Sequence, residues 1–311
     1  MRIVFMGTPD FAVPCLRALA ENGHEVAGVF TQPDKPKGRG YKMIPTPVKA
    51  AAQEYGIPVY QPLSLRKGED AVTAMETLRS LAPELIVVVA YGQILPKEIL
   101  ELPKHHCINI HASLLPAYRG AAPIQWSVLN GEKVTGVTSM LMAEGLDTGD
   151  MLIKGETEIG EDETASSLHD RLSEMGAKVL LDTVAAIENG TLTPEPQDDA
   201  LSSYAVRITK EMSELHFEKP ALELHNTIRG ITGFTTLEGK RLKIYASKVV
   251  ALRNADTLPD GAVADVQSFT VKCGDGFGLR LMEIQPEGKK RMKTEDYLRG
   301  KKLEEGTILG Q

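Results

Sequence analysis

The chain has 311 residues, of which 42% are hydrophobic and 25% charged, with a net charge of −7. Those proportions belong to an ordinary globular protein of two domains or one large one, and they exclude a disordered or collagen-like chain. The longest purely apolar run, Leu85 to Ala90, is far too short to span a bilayer, and three scattered cysteines, Cys15, Cys107 and Cys273, exclude a disulfide scaffold and a Cys-based zinc site.

No charged-then-apolar leader precedes Arg2, so a cytoplasmic protein is expected. Arg2–Met6 is β-branched and apolar and predicts a first strand. Gly7-Thr-Pro-Asp-Phe11 follows it where a dinucleotide fingerprint would sit. The second and third glycines of that fingerprint are missing, which argues against a nicotinamide dehydrogenase. Asp10 is the expected N-cap of a helix through Ala20, with Ala12, Cys15, Leu16 and Leu19 as its buried stripe and Gly23 as its stop.

A second strand is expected over Glu25–Thr31. The segment Gln32 to Pro45 then carries Lys35, Lys37, Arg39 and Lys42 against one acid, Asp34. Its three prolines and two glycines predict an irregular loop. A basic, mobile loop in an otherwise acidic half is suited to a nucleic-acid backbone, the competing reading being a solvated surface. Further strands are expected over Pro58–Tyr60, Glu84–Ala90 and His106–Ile110. Strands alternating with helical patterns predict a doubly wound, mostly parallel α/β sheet, with ligands beyond the strands' carboxyl ends.

Two polar side chains, Asn109 and His111, fall on one face of the last of these strands because their spacing is two. A turn sequence, Ser113-Leu-Leu-Pro116, and then Arg119-Gly120 come next. An amide beside an imidazole at a strand end can hold developing negative charge or relay a proton. Val134 to Met142 predicts another strand, ending in Ala143-Glu-Gly-Leu-Asp-Thr-Gly-Asp150. That is a tight loop in which Asp147 can orient or charge-stabilise His111 and Asp150 is a turn former.

A long helix, roughly Thr164 to Glu188, is expected to close the front domain, residues 1–190. The Pro-containing polar stretch 191–207 has the composition of a linker. Residues 208–311 turn all-β, with strands expected over Arg241–Ala251, Gly261–Val266, Ser268–Cys273 and Gly278–Ile284 and a Gly274-Asp-Gly276 turn, suggesting a small barrel. The front 207 residues carry 18 Lys and Arg against 27 acids, the rest 17 against 15. Lys289, Lys290, Arg291, Lys293, Arg299, Lys301 and Lys302 cluster in the rear part, a candidate polyanion patch.

Asn109, His111, the Ser113–Pro116 loop and Asp147 together resemble the signature of the folate-dependent formyltransferases. Gly7-Thr-Pro-Asp-Phe11, Gly38-Arg-Gly40, Val88-Val-Ala-Tyr-Gly92 and Leu146-Asp-Thr-Gly-Asp150 fall in the order expected of members that act on aminoacyl-tRNA. The resemblance implies a Rossmann-like catalytic domain and an OB-like tRNA-binding barrel over residues 208–311. It implies transfer of a formyl group from 10-formyltetrahydrofolate to the amino group of methionyl initiator tRNA, giving formylmethionyl-tRNA for translation initiation. Asn109 would then be an oxyanion donor, His111 an oxyanion donor and proton shuttle, and Asp147 its partner. Ser113, Leu114, Leu115 and Pro116 would contact the folate, with Val89, Tyr91, Gly92 and Leu95 in its pocket. Lys35, Lys37, Arg39 and Lys42 would engage the tRNA. A monomer without a metal is expected. The chain departs from the family where Arg229-Gly-Ile-Thr-Gly-Phe-Thr-Thr236 replaces an Asn-Pro-Trp-Pro-like segment. The alternatives are a formyltransferase for a small amine, such as a nucleotide sugar or glycinamide ribonucleotide, and a non-catalytic nucleic-acid-binding protein.

Overall fold

The computed structural model describes residues 1–37, 42–253 and 257–311. It divides into two compact units. Unit one comprises residues 1–123, 134–157 and 169–205, and unit two residues 124–133, 158–168 and 206–311.

Unit one begins with β1 (Arg2–Gly7), whose residues from Ile3 to Met6 are wholly buried. A 3-10 turn, Asp10–Ala12, then leads into α1 (Val13–Glu21). Asp10 is not the helix cap: it opens the 3-10 turn behind Pro9 and its carboxylate accepts from the Phe11 N–H. Pro14 in the first turn fixes the start of α1 at Val13, since a helix tolerates proline only there. The expected stripe of Ala12, Cys15, Leu16 and Leu19 is fully buried. Then follow β2 (Glu25–Phe30), β3 (Lys35–Lys37), β4 (Lys42–Ile44), α2 (Pro47–Glu54), β5 (Val59–Tyr60), α3 (Gly68–Leu81), β6 (Leu85–Val89), α4 (Lys97–Leu100), β7 (Cys107–His111) and β8 (Arg119–Gly120). Next come α5 (Pro123–Leu129), which falls to unit two from residue 124 on, and then β9 (Val134–Leu141), β10 (Met151–Glu158), α6 (Ala165–Asn189) and β11 (Tyr204–Ala205).

Seven strands form one sheet in the order β10-β9-β7-β6-β1-β2-β5. The pairs β1–β2, β2–β5, β1–β6 and β6–β7 are parallel, and β7–β9 is antiparallel. From β1 the chain winds outward through β2 and β5, then returns to β6 on the other side. The direction of winding therefore reverses between β1 and β6, whose carboxyl ends are the expected place for a ligand. Gly7 closes β1 where a Cβ would lie 2.9 Å from that of Ala12 and 3.0 Å from the Val89 oxygen, so only glycine lets these segments meet. The Thr8 hydroxyl donates to the Tyr91 carbonyl at 2.9 Å, tying the loops after β1 and β6 together. α6 lies over the sheet, with Gly176 closest to Ile110 and the Ser173 hydroxyl bonded to the Phe11 carbonyl at 2.8 Å.

The basic segment is more regular than its composition suggests. β3 and β4 pair as an antiparallel hairpin, Lys35 opposite Ile44 and Lys37 opposite Lys42. A two-stranded ribbon has free edges, so Pro36 needs no ladder partner for its missing N–H. Arg39 and the two glycines lie outside the described residues.

Unit two has a six-stranded sheet: β12 (Gly233–Leu237), β13 (Lys240–Ala251), β14 (Val263–Asp265), β15 (Thr270–Lys272), β16 (Phe277–Pro286) and β17 (Met292–Lys293), with α7 (Ala221–Ile231) and α8 (Thr294–Gly300). Its pairing runs β12-β13-β16-β15-β14, with β17 on β16, an open path among the described residues. Leu224 and Ile228 of α7 share a core with Leu242, Ile244, Phe269, Leu279 and Ile284. The departing segment has a plain solution here. Thr232, at φ +63, turns α7 directly into β12, and a Cβ on Gly233 would meet Leu215 and Ile228 at 2.8 and 2.9 Å. Buried Arg229 donates to the Asn226 side chain at 2.8 Å and to the Glu163 carbonyl at 3.1 Å.

Candidate active site

β7 delivers its last residue, His111, to the carboxyl edge of the sheet. The β7–β9 register sets His111 opposite Thr138 and Asn109 opposite Met140. Thr138 then builds the next loop: its hydroxyl donates to the Ser113 carbonyl at 2.7 Å and accepts from the Leu115 N–H at 3.1 Å. The Ser113 hydroxyl bonds the Ala117 carbonyl at 2.7 Å. Ser113 and Leu115 are thereby buried, while Leu114 and Pro116 remain part-exposed. Leu115 packs on Met140 and Met151.

This loop returns the Tyr118 carbonyl to within 2.9 Å of His111 Nε2. A carbonyl only accepts, so Nε2 carries a proton, and in the neutral form of the ring Nδ1 is the bare nitrogen. Nδ1 faces Asp147 Oδ2 at 3.7 Å, beyond hydrogen-bond length. Both side chains are sheltered, at 7% and 16% exposure. Two acceptors thus face each other across a short gap. A group bearing N–H protons is the natural visitor to it, and a proton handed to Nδ1 would be stabilised by the carboxylate. Asn109 is half-buried two residues back on the same strand.

Asp147 is held by its surroundings. Its φ of +52 is a left-handed conformation that costs a non-glycine residue about 1–3 kcal/mol. The Gly120 N–H donates to its Oδ2 at 2.8 Å. Gly149 folds back so closely that a Cβ would fall 1.8 Å from the Leu141 oxygen. Gln197 donates to the carbonyls of Asp147 and Gly149 at 2.8 and 2.7 Å and accepts from buried Arg119 Nε at 2.9 Å. Residues 191–207, expected as a connector, run paired along unit one up to Ala205: Glu195 exchanges backbone bonds with Met151, and β11 pairs with β8. Tyr118, Arg119, Gly120 and Gln197 were not singled out from sequence as site residues. Tyr118 and Gly120 act through backbone groups, Arg119 through a buried side chain beside them, and Gln197 lies in the linker-like stretch.

The expected ligand-pocket residues divide. The side chains of Val89, Tyr91 and Leu95 are buried, and those of Tyr91 and Leu95 belong to the core around Phe30, Ile86 and Cys107. What reaches the strand-end surface there is Gly92, at φ +84, with Ile94 at 66% exposure; Leu146, at 64%, lies beside Asp147. A separate surface groove of about 390 Å³ on α3, lined by Leu65, Val72, Met75, Arg79 and Pro96 among others, contains none of the strand-end residues. Burial pushes the thiols of Cys15, Cys107 and Cys273 up to about 12, which leaves them unsuited as nucleophiles. Among the described residues no three His, Cys, Asp or Glu side chains are grouped to hold a metal ion. No helix of the described residues is long and apolar enough to cross a membrane.

Of the expected cations, Lys35 begins the hairpin and is exposed. Lys37 and Lys42 face each other in its register, and Arg39 lies outside the described residues. In unit two, Arg291, Arg299 and Lys301 are paired with Glu283, Asp296 and Glu238. Arg291 also lies over the Tyr245 ring at 4.2 Å, and Arg241 over Phe234 at 3.8 Å.

Residues 1–184 match the family described as formyl transferase, and residues 207–302 the formyl transferase C-terminal domain. A methionyl-tRNA formyltransferase of Alkaliphilus oremlandii is 51% identical over 316 residues, covering all of both chains. One of Geobacter sulfurreducens is 50% identical, covering all of this chain and 97% of its own. Among solved structures, WlaRD, a sugar 3N-formyl transferase, superposes with a TM-score of 0.67 at 21% identity, over 93% of this chain and 99% of its own. An N-formyltransferase from Helicobacter canadensis, solved with folinic acid and dTDP-3-aminofucose, gives 0.66 at 20% identity, over 92% and 99%. At such identities these two structures speak for the fold.

Proposed function

The chain belongs to the formyl transferase family, and on that footing we propose that it moves a formyl group from 10-formyltetrahydrofolate to the amino group of methionyl initiator tRNA. The observation that carries the reading is the His111–Asp147 gap at a strand's carboxyl edge, in a chain about half identical, end to end, to relatives named for this activity.

The chemistry follows from the acceptors. An amino group near neutral pH is partly protonated and must lose a proton before it attacks. Nδ1 of His111 and Oδ2 of Asp147 receive its N–H groups from two sides. The amine nitrogen, its ammonium proton already lost to solvent, bonds to the formyl carbon; the proton it then holds in excess passes to Nδ1, and the imidazolium is held by the carboxylate beside it. As the bond from the formyl carbon to the folate nitrogen breaks, that proton goes to the departing nitrogen. Asn109 supplies an amide N–H for charge developing on the formyl oxygen. The bound folate supplies the formyl carbon on a nitrogen able to leave. We assign its flat ring to the strand-end surface near Gly92 and the Leu114–Pro116 loop, with the buried side chains of Val89, Tyr91 and Leu95 beneath. The folinic acid held by the Helicobacter canadensis protein supports a folate here.

The basic segment that carries Lys35, Lys37, Arg39 and Lys42 is the proposed grip on the acceptor stem. The rear unit, whose β13–β16 pair carries register shifts of the kind that bend a strand, is the proposed OB-like tRNA-binding domain. The proposal places the enzyme in the cytoplasm, as a monomer. Rates measured side by side with methionyl-tRNA, glycinamide ribonucleotide and an amino sugar nucleotide test it. A preference for either small amine would replace this reading with the corresponding relative's.

A further inference from the structure

We propose that Gln197 is a positioning residue of this active site, setting Asp147 against His111 from a segment that belongs to neither family-matched region. The inference rests on the formyl-transfer reading above. The matched regions end at residue 184 and resume at 207, and Gln197 lies between them.

The geometry asks for one amide side chain. Two carbonyl oxygens, of Asp147 and Gly149, converge on Nε2 at 2.8 and 2.7 Å, and the Arg119 Nε–H meets Oε1 at 2.9 Å. A carboxylate cannot donate to the carbonyls, and a hydroxyl cannot serve three partners in this fork. Gln197 thus clamps both ends of the Asp147-Thr-Gly149 turn, the backbone from which the Asp147 carboxylate projects. It fixes the backbone while Gly120 fixes the carboxylate, and together they hold the left-handed conformation of Asp147.

The clamp is anchored on both sides. Upstream, Glu195 and Met151 exchange two backbone bonds of 2.8 Å. Downstream, Asp199 meets Arg119 Nη2 at 2.9 Å, and Ser203 accepts from the N–H groups of Tyr118 and Arg119 at 2.9 and 2.8 Å. Tyr118 is the residue whose carbonyl holds His111. The segment 195–203 therefore touches the supports of both members of the pair. Disturbing it alters the Nδ1 to Oδ2 separation without removing either group.

The test compares Gln197→Glu and Gln197→Ala with the unaltered full chain. Gln197→Glu keeps the acceptor for Arg119 but turns both carbonyl bonds into repulsions, so it separates clamping Asp147 from merely anchoring Arg119. In both variants kcat with methionyl-tRNA should fall about 10- to 100-fold, the scale of a small misplacement of reacting groups, with little change in KM. The pH–rate profile should change shape, and the 15N signals of the His111 ring should move in the free protein. A Gln197→Glu variant with unaltered kcat, pH profile and ring signals overturns the proposal. So does a loss of activity that only follows a lowered Tm while the ring signals stay in place. The ring signals need no substrate. If the unaltered protein forms no formylmethionyl-tRNA, the formyl-transfer reading fails by itself, and the signals still decide the role of Gln197.

Discussion

The Tyr118 carbonyl determines which nitrogen of His111 is free to do chemistry. With Nε2–H bound to it at 2.9 Å, the reactive edge of the ring is Nδ1, and Nδ1 faces Asp147. Tyr118 itself sits at φ +61, held by Ser203 through its N–H. A backbone acceptor cannot rotate away as a side chain can, so the tautomer of His111 is set before any substrate arrives.

His111→Ala removes the proton carrier and leaves the loop's other bonds in place. Turnover should fall about 10²- to 10⁴-fold, the scale of a general acid/base residue, with tRNA affinity and Tm nearly unchanged. Steady-state kinetics and a binding titration on the purified variant check this. Unchanged turnover would remove His111 from the mechanism.

Asp147→Asn keeps an oxygen for the Gly120 N–H and a residue that tolerates positive φ. Only the charge is lost. Turnover should drop by about 10²-fold or more, most steeply at low pH, where more of the amine is protonated and needs an acceptor. A pH–rate profile of unaltered shape and height would reduce Asp147 to a turn former.

The basic segment makes its own prediction. Arg39 stands between two glycines, and its guanidinium suits a bidentate grip on phosphate. Arg39→Ala should weaken use of methionyl-tRNA while leaving folate affinity intact. The slope of log affinity against log salt should fall by about one unit or less. Binding measured at several salt concentrations decides the matter, and an unchanged slope returns the segment to a solvated surface.

Much of the front unit was legible because its central strands are buried on both faces and therefore run apolar. Leu85–Val89 and Cys107–His111 fall where the apolar runs predicted them. His111, at the end of its strand, and Asp147, in the loop beyond β9, lie 3.7 Å apart. What escaped notice lacks a side-chain signature. The Tyr118 carbonyl and the Gly120 N–H are backbone groups, which any residue carries. Gln197 lies 50 residues from Asp147, in a stretch whose prolines and acids suggest a connector. The pairing of Lys35–Lys37 with Lys42–Ile44 hid behind Pro36, whose missing N–H a free edge tolerates. Val89, Tyr91 and Leu95 illustrate a different limit: apolar residues near a strand end line a pocket or floor it, and periodicity does not distinguish the two.

The base of that hairpin offers a stability test. Asp34 accepts from Lys49 at 2.6 Å and from Gln61 at 2.8 Å, and the Lys49 bond foremost holds its carboxyl below the usual carboxylate value. A depressed folded value means stability that is present above an unfolded value of about 3.9 and lost as pH falls through the folded one. Asp34→Asn should therefore cost up to about 1 kcal/mol at neutral pH, the scale of a solvent-screened ion pair, and the difference from the unaltered protein should shrink below about pH 4. Denaturant melts across pH check this. A difference that stays constant with pH would show that the charge of Asp34 contributes nothing.

The most direct test of the account is product identification. The purified chain is mixed with 10-formyltetrahydrofolate bearing a labelled formyl group and with methionyl initiator tRNA, and the amino acid is released from the tRNA and analysed by mass spectrometry. The account predicts labelled N-formylmethionine, formed at a rate that collapses in His111→Ala. Unmodified methionine after complete incubation with active substrates, or equal yields from both proteins, would contradict it.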